Sequence, residues 1–476
     1  MLNMLKSKKN KPTIKIPETT ITYVRSGGYS MNNYYARLFI PTYNNTSTEY
    51  DFFIPMSFDA DYITNSTVSK FSILKFDSTT EQTSFVTDLE TLDPNNSEDV
   101  YLPLSPANYF DLGSNTFSFL YMKQGNINVS GSFYTQETLK LAYYNGTSFT
   151  VNTVTSWINN TTIVNLHKAV YSPVDNLIYI FYKERVSNTT TTYYYKTINP
   201  TTGATVATVS YDTFTGAVQS DAVRVNYTNN QLMLFWWRSG YNLNAKYIIK
   251  NGTSAWSTSK NVAIDTSGTV TSINPAFIRG TSPNTNNYFV YYPIGSTGVY
   301  KKITYNSSTD TWATPVTWTG KGPRTAYDMD DNEYVYGIDS NTITGASAPY
   351  MYKVKLYLFN VSTETWTDCG YTPDYTTIIN SSSLFFSNAF VAKGYLYNAI
   401  FVPSASYPNS DEPVKYIRTN LKTNSVDNWI SQTVHYSGVT SANFNYNYRM
   451  GSNRYRLLCF ENHDDLNTIG ALKFTF

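Results

Sequence analysis

The stretch YNSSTDTW, Tyr305 to Trp312, decides how this chain is interpreted, because close versions of it return along the sequence. It consists of an aromatic residue, a short polar turn and a tryptophan, and it follows a run of alternating apolar residues. FNVSTETW ends at Trp366, and KNGTSAW ends at Trp256. A motif that recurs within one chain indicates a repeated structural unit.

The spacing of these turns defines the length of the unit. Comparable turns begin at Asp77, Asn145, Asn199, Asn251, Asn306, Asn360 and, more loosely, Leu421. From Asn145 onward the steps are about 52 to 61 residues, whereas the first step is about 68. A second landmark lies upstream of each turn. It is a small polar turn followed by alternating apolar and aromatic residues, as in NLIYIFY from Asn176 and NQLMLFWW from Asn230.

One unit shows the plan of the repeat. KAVYS, LIYIFY, TYYYKTI and ATVATVS follow one another between residues 168 and 210 as four segments of strand length. Four strands in about 50 residues are typical of a β-propeller blade. We therefore predict an all-β fold with seven or eight four-stranded blades, where eight includes a divergent unit at residues 34–90. The Asn, Asp, Ser and Gly residues suit Asx or left-handed turns, and the trailing Trp or Phe is expected to pack between neighbouring blades.

The two ends of the chain predict how the ring closes. After NRYRLLCF (453–460) only one more strand, ALKFTF (471–476), remains, so the last blade lacks an outer strand. TTITYVR (19–25) is a strand without a blade of its own. We predict that it pairs with the C-terminal blade and closes the ring, because open sheet edges must be covered. Residues 18–476 are then a single propeller domain, preceded by an arm at residues 1–17.

Composition excludes several classes of protein. The 476 residues are 16% aromatic, with 44 tyrosines, but only 14% charged, and the formal net charge is +1. A general nucleic-acid binder needs a broad basic field, so no nucleic-acid partner is expected. The sequence contains no run of eighteen apolar residues, so no membrane span is expected. The first residues lack the apolar stretch of a secretory signal. Two cysteines, Cys369 and Cys459, could form one bridge or remain as two buried thiols.

The N-terminal arm departs from the repeat by its charge. Lys6, Lys8, Lys9, Lys11 and Lys15 place five cations within fifteen residues. The arm could be a solubilising terminus, or a docking peptide for an acidic groove on a larger assembly.

LFWWRSGYN (234–242) is the best candidate for a ligand site. It contains Trp236, Trp237, Arg238 and Tyr241. Aromatic rings can stack on sugar rings, while polar side chains hydrogen-bond to sugar hydroxyls. Because side chains alternate along a strand, only one of the two tryptophans is expected to face the inter-blade core, while the other is exposed or packs against a flanking loop. Packing of both indoles in the core is the alternative.

Two acidic stretches superficially suggest metal sites. Asp328, Asp330, Asp331 and Glu333 occupy the place of a solvated turn in their repeat, and calcium would need six to eight oxygen ligands. His463, Asp464 and Asp465 are adjacent in sequence, which is poor geometry for zinc on a strand. No GxSxG, HExxH, P-loop or CxxC motif occurs. We expect neither a metal nor a cofactor, and no catalytic residue can be named.

An enzymatic alternative comes from one partial resemblance. The turns at Asn306 and Asn360 resemble the Asp-box of sialidase-type propellers, Ser-x-Asp-x-Gly-x-Thr-Trp, with Ser308, Asp310 and Trp312 in place but without the glycine. Sialidases also need three arginines and a Tyr–Glu pair, and no motif here assembles them. A glycoside hydrolase or lyase on this scaffold, or an intracellular protein–protein scaffold, therefore remain the alternatives to a binding function.

Taken whole, the chain resembles virion fibre and receptor-binding proteins of short-tailed bacteriophages of low-GC Gram-positive hosts. The resemblance is carried by Asn/Thr/Tyr-rich strands, the repeated YNSSTDTW-type turn and the short basic arm. It implies a non-enzymatic structural protein of the virion, either a head fibre or a tail fibre. Residues 1–17 would dock on capsid or tail proteins, the propeller would bind host cell-wall glycan, and a homo-oligomer is expected.

Overall fold

A computed structural model describes most of the repeated region of the chain. The described ranges are 18–22, 30–31, 40–43, 50–59, 69–77, 82–93, 98–101, 109–159, 162–186, 190–215, 221–228, 230–238, 244–264, 276–279, 288–294, 299–318, 324–327, 333–342, 350–360, 365–372, 376–378, 385–386, 389–392, 394–401, 412–426, 430–434, 455–461 and 468–475. All regular structure in these ranges is β-strand. Within them, no helix has the length and apolar character needed to cross a bilayer.

The strands of the described ranges fall into eight successive groups, which we number as blades 1 to 8. The first described strand, β1 (Glu18–Thr22), precedes these groups in the chain. Blade 1 contains β2 (Ser30–Met31), β3 (Ile40–Tyr43), β4 (Tyr50–Asp59), β5 (Ser69–Asp77) and β6 (Gln82–Leu92). Blade 2 contains β7 (Asp99–Tyr101), β8 (Tyr109–Gly113), β9 (Thr116–Val129), β10 (Ser132–Tyr144) and β11 (Phe149–Asn159). Blade 3 contains β12 (Thr162–Ser172), β13 (Leu177–Val186), β14 (Thr190–Ile198) and β15 (Thr205–Thr215). Blade 4 contains β16 (Asp221–Thr228), β17 (Gln231–Arg238), β18 (Asn244–Asn251) and β19 (Lys260–Ala263).

The second half repeats this plan with shorter strands. Blade 5 contains β20 (Ala276–Arg279), β21 (Tyr288–Ile294), β22 (Val299–Asn306), β23 (Thr311–Trp312) and β24 (Val316–Trp318). Blade 6 contains β25 (Arg324–Tyr327), β26 (Glu333–Thr342), β27 (Tyr350–Asn360), β28 (Thr365–Tyr371) and β29 (Thr376–Ile378). Blade 7 contains β30 (Phe385–Phe386), β31 (Ala389–Ala392), β32 (Tyr395–Phe401), β33 (Glu412–Asn420), β34 (Ser425–Val426) and β35 (Ile430–Val434). Blade 8 contains β36 (Tyr455–Glu461) and β37 (Thr468–Thr475).

Each blade is an antiparallel meander. In blade 3 the order is β12-β13-β14-β15, and blade 4 repeats it as β16-β17-β18-β19. The first strands of successive blades lie side by side, β12 against β16 and β16 against β20. In blades 6 and 7 the corresponding strands, β25 and β31, form a parallel pair, which joins the two blades into one continuous sheet. These features confirm the predicted all-β propeller class, and the divergent unit at residues 34–90 contributes blade 1.

The N-terminal strand pairs with the last blade, as the sequence predicted. β1 is antiparallel to β37, with Glu18 opposite Leu472 and Thr22 opposite Thr468. β1 therefore supplies the third strand of blade 8 in the described part of the chain. This pairing is what ring closure requires; closure of the whole ring stays a prediction.

The core lies between blades rather than within them. Along β17, Leu232, Leu234 and Trp236 pack toward blade 3, whereas Met233, Phe235 and Trp237 pack toward blade 5. All eight residues of β17 are buried. A strand that is apolar on both faces is expected where sheets pack on either side of it. The run QLMLFWWR thus belongs to a strand between two interfaces.

The YNSSTDTW-type turns have the predicted Asx geometry. The Oδ1 atom of Asn145 accepts hydrogen bonds from the backbone N–H groups of Thr147 and Ser148, both at 2.9 Å. Asn199, Asn306 and Asn420 accept equivalent bonds two residues on. The turn of the second landmark is left-handed, with φ values of 53° at Asn176 and 58° at Asn230. Asparagine is used at both places because its short amide tolerates these conformations and satisfies the turn.

The trailing aromatic residues of three turns, Phe149, Trp256 and Trp312, pack on the preceding blade, which confirms the predicted place between blades for these three rings. The centroid distances are 5.6 Å for Trp312 and Phe235, 5.5 Å for Trp256 and Tyr195, and 5.3 Å for Phe149 and Phe53. The turn and its aromatic ring therefore act together, because the turn sets the direction in which the ring leaves its own blade.

Replacing Asn145 by alanine is expected to lower the free energy of unfolding by about 1 kcal/mol, because the turn loses the acceptor of its hydrogen bonds. Asn145→Asp puts a carboxylate oxygen in the place of the amide Oδ1, so the acceptor remains, and stability is expected to change by less than about 0.5 kcal/mol. Urea unfolding of both variants measures the difference. Equal destabilisation by Ala and Asp would contradict the assigned role of Oδ1.

Candidate functional site

Three of the four predicted ligand residues of LFWWRSGYN, namely Trp236, Trp237 and Arg238, lie in the blade interfaces. The exposed fraction of Trp236 is 0% and that of Trp237 is 3%, because they pack toward blades 3 and 5, respectively. The structure therefore supports core packing for both indoles, and neither presents a face on which a sugar ring could stack. Tyr241 lies outside the described residues.

Arg238 joins blade 4 to blade 3. Its Nε atom lies 3.1 Å from Oδ2 of Asp212 on β15, and its guanidinium carbon lies 4.2 Å from the ring centroid of Phe214. The indole Nε1 of Trp236 donates a hydrogen bond of 3.2 Å to the same carboxylate oxygen. Both members of the ion pair are buried, so the pair is a structural tie rather than a surface for an anionic ligand.

A second polar cluster lies in the same interface and was not found from the sequence. Asp221, the first residue of β16, accepts hydrogen bonds from Nζ of Lys183 at 2.7 Å and from the hydroxyl of Tyr193 at 2.8 Å. Nε2 of His167 lies 3.8 Å from the same carboxylate oxygen, and its ring is stacked on that of Tyr193. No sequence motif indicates this cluster, because the neighbours of His167 come from three other strands.

Burial decides the protonation states in this cluster. It lowers the pKa of His167 to about 4; Asp221 opposes this shift, while Lys183 and Arg224 add to it. Burial also raises the pKa of Tyr193 well above its usual value, and Asp221 raises it further. At neutral pH the imidazole is therefore uncharged and the phenol is protonated, while Lys183 and Asp221 form an ion pair beside them. The shifted pKa values make His167 a weak base and Tyr193 a weak acid at neutral pH. The contacts of the cluster hold blades 3 and 4 together.

Asp310, the aspartate of the sialidase-like turn, also connects blades. It accepts hydrogen bonds from the hydroxyls of Tyr247 at 3.1 Å and Tyr305 at 3.0 Å, and it pairs with Lys260. Burial raises the pKa of Asp310, but the hydrogen bonds from Lys260, Tyr305 and Tyr247 outweigh it, so the pKa lies below its usual value. The backbone of Asp310 is left-handed, with φ of 51°. This turn links blade 5 to blade 4.

Two more carboxylates follow the same pattern. Glu90 of blade 1 accepts a hydrogen bond of 2.7 Å from the hydroxyl of Tyr121 in blade 2 and lies 2.7 Å from Nζ of Lys140. Asp175 of blade 3 pairs with Lys250 of blade 4 at 2.7 Å. In each case a carboxylate on one blade is balanced by groups of the next blade.

Several sequence predictions lie outside the described residues. These are the docking-arm residues Lys6, Lys8, Lys9, Lys11 and Lys15, the acidic residues Asp328, Asp330 and Asp331, and the tail residues His463, Asp464 and Asp465. Glu333 is the first residue of β26. Among the described residues, no group of three or more His, Cys, Asp or Glu side chains could hold a metal ion.

Cys369 is a buried free thiol, so it does not pair with Cys459. Burial raises its pKa to about 11. A thiol with this pKa stays protonated at neutral pH and is unreactive.

Comparison with known proteins gives no family. No family model matches the chain, and no curated protein matches it. The Dos1 propeller is 9% identical over 95% of this chain and 94% of its own, with a TM-score of 0.41. An ulvan lyase of a new polysaccharide lyase family is 9% identical over 96% of both chains, with a TM-score of 0.39. The WD40 domain of SCAP from fission yeast is 9% identical over 80% of this chain and 98% of its own, with a TM-score of 0.33.

Proposed function

We propose that this protein is a non-enzymatic structural protein of a bacteriophage virion, a head fibre or tail fibre whose propeller binds host cell-surface carbohydrate. The proposal follows from the Asn/Thr/Tyr-rich strands and repeated YNSSTDTW-type turns that resemble those of phage fibre proteins, and from the basic arm that precedes β1. In this proposal the arm docks on capsid or tail proteins, and the protein assembles as a homo-oligomer to gain avidity.

One observation favours binding over catalysis. The carboxylates Glu90, Asp175, Asp212, Asp221 and Asp310 are each paired with a cation, and each also accepts a hydrogen bond from a tyrosine or tryptophan. Glycoside hydrolysis needs two carboxyl groups on either side of the scissile bond, one of them with a raised pKa. The oxygens of these five carboxylates are occupied by cations and by hydroxyl or indole groups of the blade interfaces, which favours a role in stability over contact with a scissile bond.

The test separates binding from turnover. Incubation with cell-wall polysaccharide of Gram-positive hosts is expected to give saturable retention without release of soluble sugar. Sugar release that is abolished by a single Asp→Asn or Glu→Gln substitution would replace the proposal with a glycoside hydrolase or lyase. Retention by purified proteins, with none by cell walls, would replace it with a protein–protein scaffold.

Deletion of residues 1–17 is expected to abolish assembly on the particle while leaving the propeller folded, because the deletion ends before β1 begins at Glu18. The occupancy of purified particles by wild-type and truncated protein, measured by quantitative mass spectrometry, checks this. A full-length variant with Lys6, Lys8, Lys9, Lys11 and Lys15 changed to Gln tests the contribution of charge. Wild-type occupancy by the truncated protein would contradict docking through the arm.

A further inference from the structure

The hairpin of β9 and β10 is the longest in the described chain. Its strands have 14 and 13 residues and stay in register from Tyr144 opposite Phe117 to Ser132 opposite Val129. The two-residue turn, Ser130 and Gly131, has φ values of 52° and 86°, as a tight hairpin requires. The hairpin ends on the side of the blades opposite the YNSSTDTW-type turns, since that turn in blade 2 follows Tyr144.

One face of this hairpin is directed toward blade 3. Glu137 on β10 lies directly opposite Trp157 on β11, so the two side chains share a face. The indole Nε1 of Trp157 donates a hydrogen bond of 2.9 Å to Glu184 of blade 3, and its ring lies 5.7 Å from that of Tyr182. Deeper in the blade the same face carries Leu139, which is buried in the interface between blades 2 and 3.

Toward the tip of the hairpin the same face becomes exposed. Because strand residues alternate, it continues with residues two and four positions before Glu137 and with their partners on the neighbouring strands. We call this set the hairpin face; it consists of Asn126, Asn128, Phe133, Thr135 and Asn159. The exposed fraction of Phe133 is 72%, and the three asparagines are exposed as well.

The chemistry of the hairpin face suits an uncharged sugar chain. Phe133 presents an open ring at the tip, and the half-buried indole of Trp157 lies about 14 Å away along β10, at about 3.4 Å per residue. Amide and hydroxyl groups lie between the two rings, and they can both donate and accept hydrogen bonds. Two carboxylates, Glu137 and Glu184, lie beside this face toward blade 3, and negative charge there does not attract a polyphosphate.

We propose that the hairpin face is the glycan-binding site of this protein and that its ligand is a neutral chain of hexose or N-acetylhexosamine units rather than a phosphate-linked wall polymer. This assignment rests on the proposed function and specifies the ligand class and the place of contact. It replaces the predicted site at Trp236 and Trp237, whose indoles are used in blade packing.

Phe133→Ala is the decisive variant. It removes an exposed ring and leaves the interfaces intact, so the fold is expected to be unchanged. Loss of a stacking ring is expected to weaken binding about tenfold. Phe85→Ala is the matched control, because Phe85 is also an exposed phenylalanine (46%), but it lies on β6 of blade 1. The probes are immobilised neutral oligosaccharides of hexose and N-acetylhexosamine, poly(glycerol phosphate) and Gram-positive wall fragments.

The outcomes separate this inference from the proposed function. Binding of wild-type protein and Phe85→Ala to neutral oligosaccharides, with about tenfold weaker binding by Phe133→Ala, supports the site. Equal binding by Phe133→Ala overturns the site but not the function. Binding only to poly(glycerol phosphate) overturns the ligand class. If wild-type protein is retained by none of the three probes, carbohydrate binding itself fails.

Discussion

Replacement of Trp236 by alanine is expected to lower the free energy of unfolding by about 3–5 kcal/mol, the range for removing a fully buried tryptophan. The cavity would open between blades 3 and 4, where Trp236 packs in edge contact with Tyr211 at 5.0 Å. The substitution also removes the hydrogen bond from the indole to Asp212. Because domains have only about 5–15 kcal/mol of total stability, such a loss is severe.

The measurement is urea unfolding followed by circular dichroism, with Phe133→Ala as the comparison. Both variants remove one aromatic ring, but the ring of Phe133 is exposed, so its loss is expected to change stability by no more than about 0.5 kcal/mol. A Trp236→Ala protein with wild-type stability and impaired glycan binding would contradict the packing role and would support the ligand contact first predicted from the sequence.

Acidification is expected to destabilise the protein through His167. The pKa of this imidazole is about 4 in the folded chain and about 6.5 when unfolded, so between these values the unfolded state binds more protons. Protonation of His167 therefore does not change the free energy of unfolding above about pH 6.5. It lowers this free energy as the pH falls toward 4, and the loss reaches about 3 kcal/mol at lower pH. The cause is burial of the ring beside Lys183 and Arg224, which Asp221 only partly offsets.

The free energy of unfolding of wild-type protein and His167→Phe, measured from pH 7.5 to pH 4, isolates this effect. Phenylalanine keeps a flat ring beside Tyr193 but cannot be protonated, so the variant is expected to lose less stability over this range by about 3 kcal/mol. Carboxylates that titrate in the same range contribute to both proteins and cancel in the difference. Parallel pH profiles would show that His167 takes up its proton as easily in the folded state as in the unfolded state.

The order of strands and turns in each blade was predictable because it depends on residues that are close in sequence. Period-2 alternation marked the strands, and the asparagine turns marked their ends. Trp256 and Trp312 signalled inter-blade packing, because a large ring after a tight turn must leave its own sheet. The pairing of β1 with β37 could be inferred by counting strands. The C-terminal blade lacked one strand in the sequence, and the strand at the N-terminus belonged to no blade.

The sites could not be predicted in the same way. Trp236 and Trp237 were candidates for ligand contact because a pair of tryptophans is chemically conspicuous, but sequence alone does not reveal that β17 is covered on both faces. The cluster of His167, Lys183 and Asp221 comes from three strands, and no spacing rule brings them together. Phe133 is an ordinary residue in its local sequence, and only the register of β9, β10 and β11 shows which neighbours share its face.

The pairing of β1 with β37 has a consequence for biosynthesis. β1 leaves the ribosome first, but its partner follows about 450 residues later, a delay of roughly 20 to 90 s at translation speeds of 5–20 residues per second. The intervening blades can stack during this interval, while the edge of β1 that later pairs with β37 has no partner strand. The last blade can be completed only after β37 has emerged, so a nascent chain that stalls before this point would expose a strand that invites pairing with another polypeptide.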